Sequence, residues 1–475
     1  MKNKFIYGLA FLSLVAVSCT KDFEEMNTNK KFPTEAPPQA LFANAAKELS
    51  RQVVTLNVNM NNLKLWSQYL TQTTYTDEGN YLNSRNIPQR EWRQMYREIL
   101  KDLNEAKKFT NAETWVTAED KAAQQNRLAI MEIYEVYVYE RLTSVFGDVP
   151  YSQAHSDETS LPEYTDAKTV YTDLNTRLDA ILAKLDPAAG SFDNGYDNLF
   201  GGDVAMWTKF VYGMKLKMAM TWADVDAAMA TKLVGEADGK VFAAGEGANF
   251  GFMPTAPNTN PMWEDLVNSG RHDYVAANTI VDTMNGLSDP RIGGYFTMAP
   301  DTNIYIGGIY GGSNSFSKFS HIAPSFKDPT QPTILMDYIE MEFYFAEAAA
   351  RGLGGGDAKT HYENAIKASI EMWAPGTDPS AYLALPEVAY DAAKWKEQIG
   401  LQAWLGFFNR GLLGWTSYRR LDHPTLNIAA NSGSPTPKRY TYPVNEQTLN
   451  GANYSAASAA IGGDDLNTPL WWDKN

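Results

Sequence analysis

Apolar residues recur along most of the chain at the three-and-four spacing of one helical face, a period that predicts helix after helix. From Glu91 to Phe109 the residues Trp92, Met95, Ile99 and Leu103 fall on one side. Thr117, with Asp120 three positions on, is close to a capping box and opens a long helix to Leu142. Val170, Leu174, Leu178, Ile181 and Leu185 mark another, stopped by Asp186-Pro187. Further helices are predicted over 40–50, 63–70, 204–223, 274–287 and 391–409.

One stretch, 337–373, organises the rest. Tyr338, Met341, Phe345 and Ala348 to Ala350 make a helix that is apolar on nearly every side, so it belongs inside the domain. Gly352 to Gly356 break it, and Asp357 is placed to cap a second helix carrying Tyr362, Ala365, Ile366 and Ile370. Two helices in a span close to the ~34 residues of a tetratricopeptide unit point to helical repeats, with a single helical hairpin as the alternative. One repeat unit cannot bury its own apolar face, so it requires neighbours elsewhere in the chain.

The helical period fails in three places. Between Val241 and Pro332 glycines and prolines punctuate the chain, yet Trp263, Tyr274, Tyr295, Tyr305, Tyr310 and Phe316 argue against disorder there. The segment 71–87 is polar and aromatic, and the tail from Arg439 to Asn475 is expected to be irregular. Long loops inside a compact domain are commonly functional.

Composition agrees with a buried core, since 44% of the 475 residues are apolar. The net charge is −15, which disfavours nucleic acid because phosphate is repelled. It also disfavours anionic glycans, except where a local patch reverses the sign. At the N-terminus, Lys2 and Lys4 precede an apolar run from Phe5 to Val17, too short for the ~20 residues of a membrane span but suited to a secretory signal. Ala16-Val17-Ser18 leads into Cys19, the single cysteine, and resembles a lipobox in which that cysteine is lipidated. A plain signal peptide cut near Ser18 is the alternative. Thr20 to Pro38 then reads as a tether, and Lys21-Asp22-Phe23-Glu24-Glu25 resembles a signal for sorting to the outer face of the outer membrane. The expected organisation is therefore a lipoprotein signal at 1–18, a lipidated tether at 19–38 and one helical domain at 39–475, with its loop-rich insertion at about 241–332.

Several islands resemble the SusD/RagB-like nutrient-binding outer-membrane lipoproteins. They are Arg127-Leu128-Ala129-Ile130-Met131 with Phe146-Gly147-Asp148-Val149-Pro150, Trp207-Thr208-Lys209-Phe210, Ser288-Asp289-Pro290-Arg291, Met341 to Arg351, Gln402-Ala403-Trp404 with Arg419-Arg420, and Tyr442-Pro443-Val444-Asn445-Glu446. The closing Trp471-Trp472-Asp473 resembles the second SusD-like subgroup. Lys30-Lys31 and Gln153 depart from the usual pattern without touching the fold. The resemblance implies an all-α protein with tetratricopeptide-like helix pairs and loop-rich insertions on one face. It also implies a surface lipoprotein that captures oligosaccharides, or in some members peptides, for a SusC-type TonB-dependent transporter, and no enzymatic reaction.

The residues agree with binding more than with catalysis. There is no H-E-x-x-H, no G-x-S-x-G and no phosphate-binding glycine loop, and the five histidines have no metal-ligand spacing, so neither metal nor cofactor is expected. An all-α glycoside hydrolase needs only two carboxylates, and Asp77, Glu78, Asp464 and Asp465 are available, although adjacent acids in loops are usually solvated. A surface scaffold that binds nothing is the third class. Sugar rings stack on Tyr and Trp while Arg, Asn and acids bond their hydroxyls. Two regions offer that mixture: Tyr75, Asp77, Tyr81, Asn83 and Arg85, and then Trp263, Arg271, Asp273, Tyr274, Tyr305 and Tyr310.

Overall fold

A computed structural model describes residues 36–474 except Asn83, Asp157 and Asn194. The leader, Cys19 and most of the tether lie outside the described residues.

The helical periods assemble into packed pairs in chain order. Helix α1 (Pro38–Val54) packs on α2 (Lys101–Ala112), α3 (Ala118–Phe146) on α4 (Ala167–Leu182), and α5 (Val204–Trp222) on α6 (Ala227–Ala237). Then α7 (Tyr338–Ala350) packs on α8 (Ala358–Trp373), and α9 (Trp395–Gly406) on α10 (Gly411–Leu421). Neighbouring pairs join through α2 on α3, α4 on α5, α5 on α7 and α7 on α9, so a continuous core runs through the stack. This is the all-α helical-repeat scaffold expected from the sequence, and the region 337–373 is one repeat among several.

Helix α7 has no solvent face, as its composition demanded, yet it carries Glu340, Glu342 and Glu347, all buried. Each acid meets a base: Glu340 lies 3.3 Å from Arg410, Glu342 2.9 Å from His361, and Glu347 2.8 Å from Arg420 and 3.0 Å from Arg351. Buried ions are tolerable only when paired and hydrogen-bonded, and these pairs fix which helix lies against α7. Ala348 is fully buried on the same helix. Ala348→Trp is expected to overpack the repeat and cost ~1–3 kcal/mol or more, read as a lowered melting temperature. An unchanged melting curve would mean that the α7 surface around Ala348 has room to spare.

Among the described residues three short antiparallel ladders cross the helical scaffold. Strand β1 (Leu70–Gln72) pairs with β5 (Tyr274–Ala276), β2 (Val149–Pro150) with β3 (Tyr164–Thr165), and β4 (Gly247–Phe250) with β6 (Thr333–Asp337). The last ladder sets Gly247 opposite Asp337 and Phe250 opposite Thr333, which brings the two ends of the loop-rich insertion together at a neck.

Some boundaries differ from those expected. The helix predicted over 63–70 stops at Trp66 and gives way to β1, and that over 274–287 begins as β5 before a helix at Asn278–Gly286. The tail, expected to be irregular, holds helices at Val444–Leu449 and Gly451–Ala460. The closing aromatic motif is packed: Trp471 sits on Trp222 and Tyr171, and Trp472 faces Arg419, whose guanidinium lies 3.5 Å from the Trp415 ring centre. Two acids expected to be solvated are buried instead, Glu78 against Arg85 at 2.5 Å and the Asp464 carboxylate against Arg439 at 2.6 Å.

Candidate ligand-binding cleft

The two aromatic-polar regions singled out in the sequence meet because their flanking strands pair. Gln72 lies opposite Tyr274 and Thr71 opposite Val275. The ladder continues beyond the strands: Thr73 N–H donates to Asp273 O at 2.9 Å, and Thr73 Oγ1 to His272 O at 2.8 Å. Together they rim a cleft of about 370 Å³ lined by Asn57, Val58, Asn59, Gln72, Thr74, Tyr75, Arg85, Asp265, Ser269, Arg271, Asp273 and Tyr274. That volume lies in the range of small-molecule sites.

On one wall Tyr75 is 67% exposed, and its ring lies under the Arg85 guanidinium at 5.7 Å. Its φ of 54° is uncommon for a residue with a side chain, and such conformations persist where surrounding bonds hold them. Gln72 supplies those bonds. Its Nε2 donates to Tyr75 O at 2.8 Å and to Glu78 Oε2 at 2.7 Å, and its Oε1 accepts from Gly79 N–H at 3.0 Å. On the other wall Arg271 grips Asp273 in a two-point fork, at 2.5 and 3.0 Å.

The floor is tied to the scaffold. Arg51 of α1 holds Glu264 through two bonds of 3.0 and 2.8 Å, which fixes the segment carrying Asp265. Asp265 Oδ2 accepts from Leu56 N–H at 3.1 Å and Thr55 Oγ1 at 3.2 Å, and the Tyr274 hydroxyl donates to Leu56 O. Burial pushes the Asp265 carboxyl up to about 6, against the pull of those bonds. Behind the same backbone, burial pushes the Lys64 ammonium down to about 7.

Of the eight ligand contacts expected from the sequence, Tyr75, Arg85, Arg271 and Tyr274 line the cleft, Tyr274 as a largely buried wall. Tyr81 and Tyr310 are corrected: they are 5% and 1% exposed and pack on each other with ring centres 6.2 Å apart. The Tyr81 hydroxyl is within 3.1 Å of Thr436 Oγ1, and its ring meets Trp66 edge-on, so neither tyrosine presents a face to a ligand. Trp263 and Tyr305 are half-buried and lie outside the lining, and Asn83 lies outside the described residues. Asn57, Asn59, Gln72, Thr74, Asp265 and Ser269 were missed. The asparagine-dense run Asn57-Val58-Asn59-Met60-Asn61-Asn62 was a signal for the first two, since asparagines build such turns; here Asn57 Oδ1 accepts from Asn59 N–H at 3.0 Å.

The cleft thus combines one presented aromatic face, two guanidinium groups, carboxyls and side-chain amides. Among the described residues no cluster of His, Cys, Asp and Glu is arranged to hold a metal ion, and no helix is long and apolar enough to cross a membrane.

The fold is shared with solved structures. A chitin-binding protein superposes with a TM-score of 0.80 at 25% identity, over 92% of this chain and 100% of that one. A SusD homolog from Bacteroides uniformis gives 0.79 at 22%, over 92% and 99%. A chitin-binding SusD homolog from Flavobacterium johnsoniae gives 0.76 at 22%, again over 92% and 99%. No curated protein matches the sequence. The sequence profile described as SusD-like, starch-binding and associating with the outer membrane matches residues 30–443, and the chain belongs to that family.

Proposed function

We propose that the protein captures an oligosaccharide at the cell surface and hands it to a SusC-type TonB-dependent transporter. The observation that carries this reading is Tyr75, an exposed ring set on the rim of a polar cleft and braced by Arg85. A flat ring accepts the C–H face of a sugar, while Arg85, Arg271, Asn57 and Asn59 reach its hydroxyls. The family description as starch-binding and the chitin-binding structural relatives support a glycan before a peptide.

A glycan array followed by calorimetry tests the reading. Binding of a neutral or acidic oligosaccharide is expected, and a protein that took up peptides but no glycan would overturn it. Hydrolysis is the competing reading with an observation behind it, because Asp265, raised toward neutrality, shares the cleft with Asp273. Both Asp273 oxygens are engaged by Arg271, so neither is free to activate a water, and the bound oligosaccharide is expected to be recovered intact.

The lipid anchor is proposed on Cys19. Cys19→Ala is expected to move the protein almost completely from the membrane fraction to the soluble one, since stable anchoring takes two signals and the variant keeps none. Retention in the membrane would place the anchor elsewhere. Co-purification of a large outer-membrane channel with the wild-type protein tests the transporter partner.

A further inference from the structure

A second hollow of about 140 Å³ lies against the first, and the two share Arg271, Asp273 and Tyr274 as a common ridge. Its far side is built from His272, Phe316, His321 and Lys327. Phe316 is held between the two imidazoles, with ring centres 4.3 Å from His272 and 3.8 Å from His321 and planes within 9° and 12°. His321 Nε2 donates to Phe316 O at 2.7 Å, which pins that ring.

The charge of this hollow is lopsided. Its one carboxylate, Asp273, has both oxygens taken by Arg271. Lys327 forms no ion pair among the described residues, and the neighbouring Asp328 spends its Oδ1 on Thr330 N–H at 2.8 Å and Thr330 Oγ1 at 2.7 Å. What remains is an unpaired ammonium and the outer N–H groups of a guanidinium, with the two imidazoles alongside, around a cavity sized for a substituent rather than a run of sugar rings. We infer that the second hollow is a subsite for an anionic group, a carboxylate or sulfate, on a glycan lying in the main cleft. The inference rests on the glycan reading above and narrows it to acidic glycans.

The whole-chain charge of −15 does not forbid this. At physiological salt, charges farther than ~8 Å are largely screened, whereas an anion in the hollow sits in contact with Lys327 and Arg271. A local cation in a concave wall then decides selectivity even on an acidic protein.

The test is an array of chitin-type and starch-type oligosaccharides, each beside its C6-oxidised uronate and its O-sulfated counterpart. An acidic member is expected to bind about tenfold more tightly than its neutral parent, with the margin shrinking as salt rises. Whichever of uronate and sulfate shows the margin names the source of the charge. Lys327→Gln is expected to remove most of the margin and leave the melting curve unchanged, whereas Tyr75→Ala weakens neutral and acidic members alike. Neutral parents that bind as tightly as their acidic counterparts would overturn the inference and leave glycan capture standing, as would a margin untouched by Lys327→Gln. Absence of binding across the array would sink both.

Discussion

Exchange of Arg291 for leucine is expected to cost about 3–5 kcal/mol of stability, the penalty for stranding a buried ion. Arg291 is fully buried and donates to Asp289 at 2.9 and 2.5 Å, to Gln402 Oε1 at 2.8 Å, to Tyr382 at 3.1 Å and to Ser369 at 3.2 Å. Those partners come from the insertion, α8, α9 and the segment between them, so one guanidinium ties the loop region to two scaffold helices. Burial alone would raise the Asp289 carboxyl, but Arg291 outweighs it and holds the group below the usual carboxylate range. Without Arg291 that acid is buried with no counter-charge, keeping only the Tyr382 hydroxyl at 2.7 Å and the backbone N–H of residue 291 at 2.9 Å. Urea unfolding measures the loss, and Arg291→Leu combined with Asp289→Leu is expected to recover part of it. A single variant within about 0.5 kcal/mol of wild type would show that this cluster contributes specificity without stability.

The second large effect separates two tyrosines that composition treats alike. Tyr75→Ala is expected to weaken glycan binding by ~2 kcal/mol or more, about thirtyfold, with an unchanged melting temperature. The ring is exposed, and its removal leaves no cavity. Tyr81→Ala is expected to behave oppositely, losing ~3–5 kcal/mol of stability, because its ring is buried against Trp66 and Tyr310. Calorimetry beside melting curves on both variants separates the cases. Normal binding by a folded Tyr75→Ala would remove the stacking platform from the site.

Much of the scaffold is legible because helix signals are local. The cap read at Thr117 forms in both directions at 3.0 Å, and Asp357 accepts from Thr360 N–H at 2.9 Å as its position promised. Helix α10 was missed for a physical reason. It starts at Gly411 and contains Gly414, residues that disfavour helix but are demanded by neighbours. A Cβ would come within 2.6 Å of the Leu63 backbone at Gly411 and 2.2 Å of the Tyr69 hydroxyl at Gly414. The tail helices are short, six and ten residues, and the second is mostly Ala and Ser, with too few large apolar residues to set a period. In the cleft, Tyr75 and Arg271 stood out by residue type, but Asp265 and Asn57 arrive through contacts between distant segments. The ladder that gathers them is three residues long, too short for alternation to announce it. Nor does residue type tell a presented ring from a packed one, which is why Tyr81 and Tyr310 were drawn into the expected site.

The neck formed by β4 and β6 makes the insertion a portable cassette. Its two ends are hydrogen-bonded to each other, with Phe250 opposite Thr333, before the chain re-enters the scaffold at α7. A closed loop pays for extra length slowly, ~0.6 kcal/mol for each doubling, so residues can be added or removed above the neck with little strain below it. Grafting the segment between the strands from one relative onto another should therefore transplant the Arg271 wall and the second hollow while leaving the Tyr75 wall and the helix pairing intact. The anchor points to preserve are the β4–β6 rungs, the Arg51–Glu264 pair, the Arg291 cluster and the β1–β5 ladder that meets the cassette from the other side.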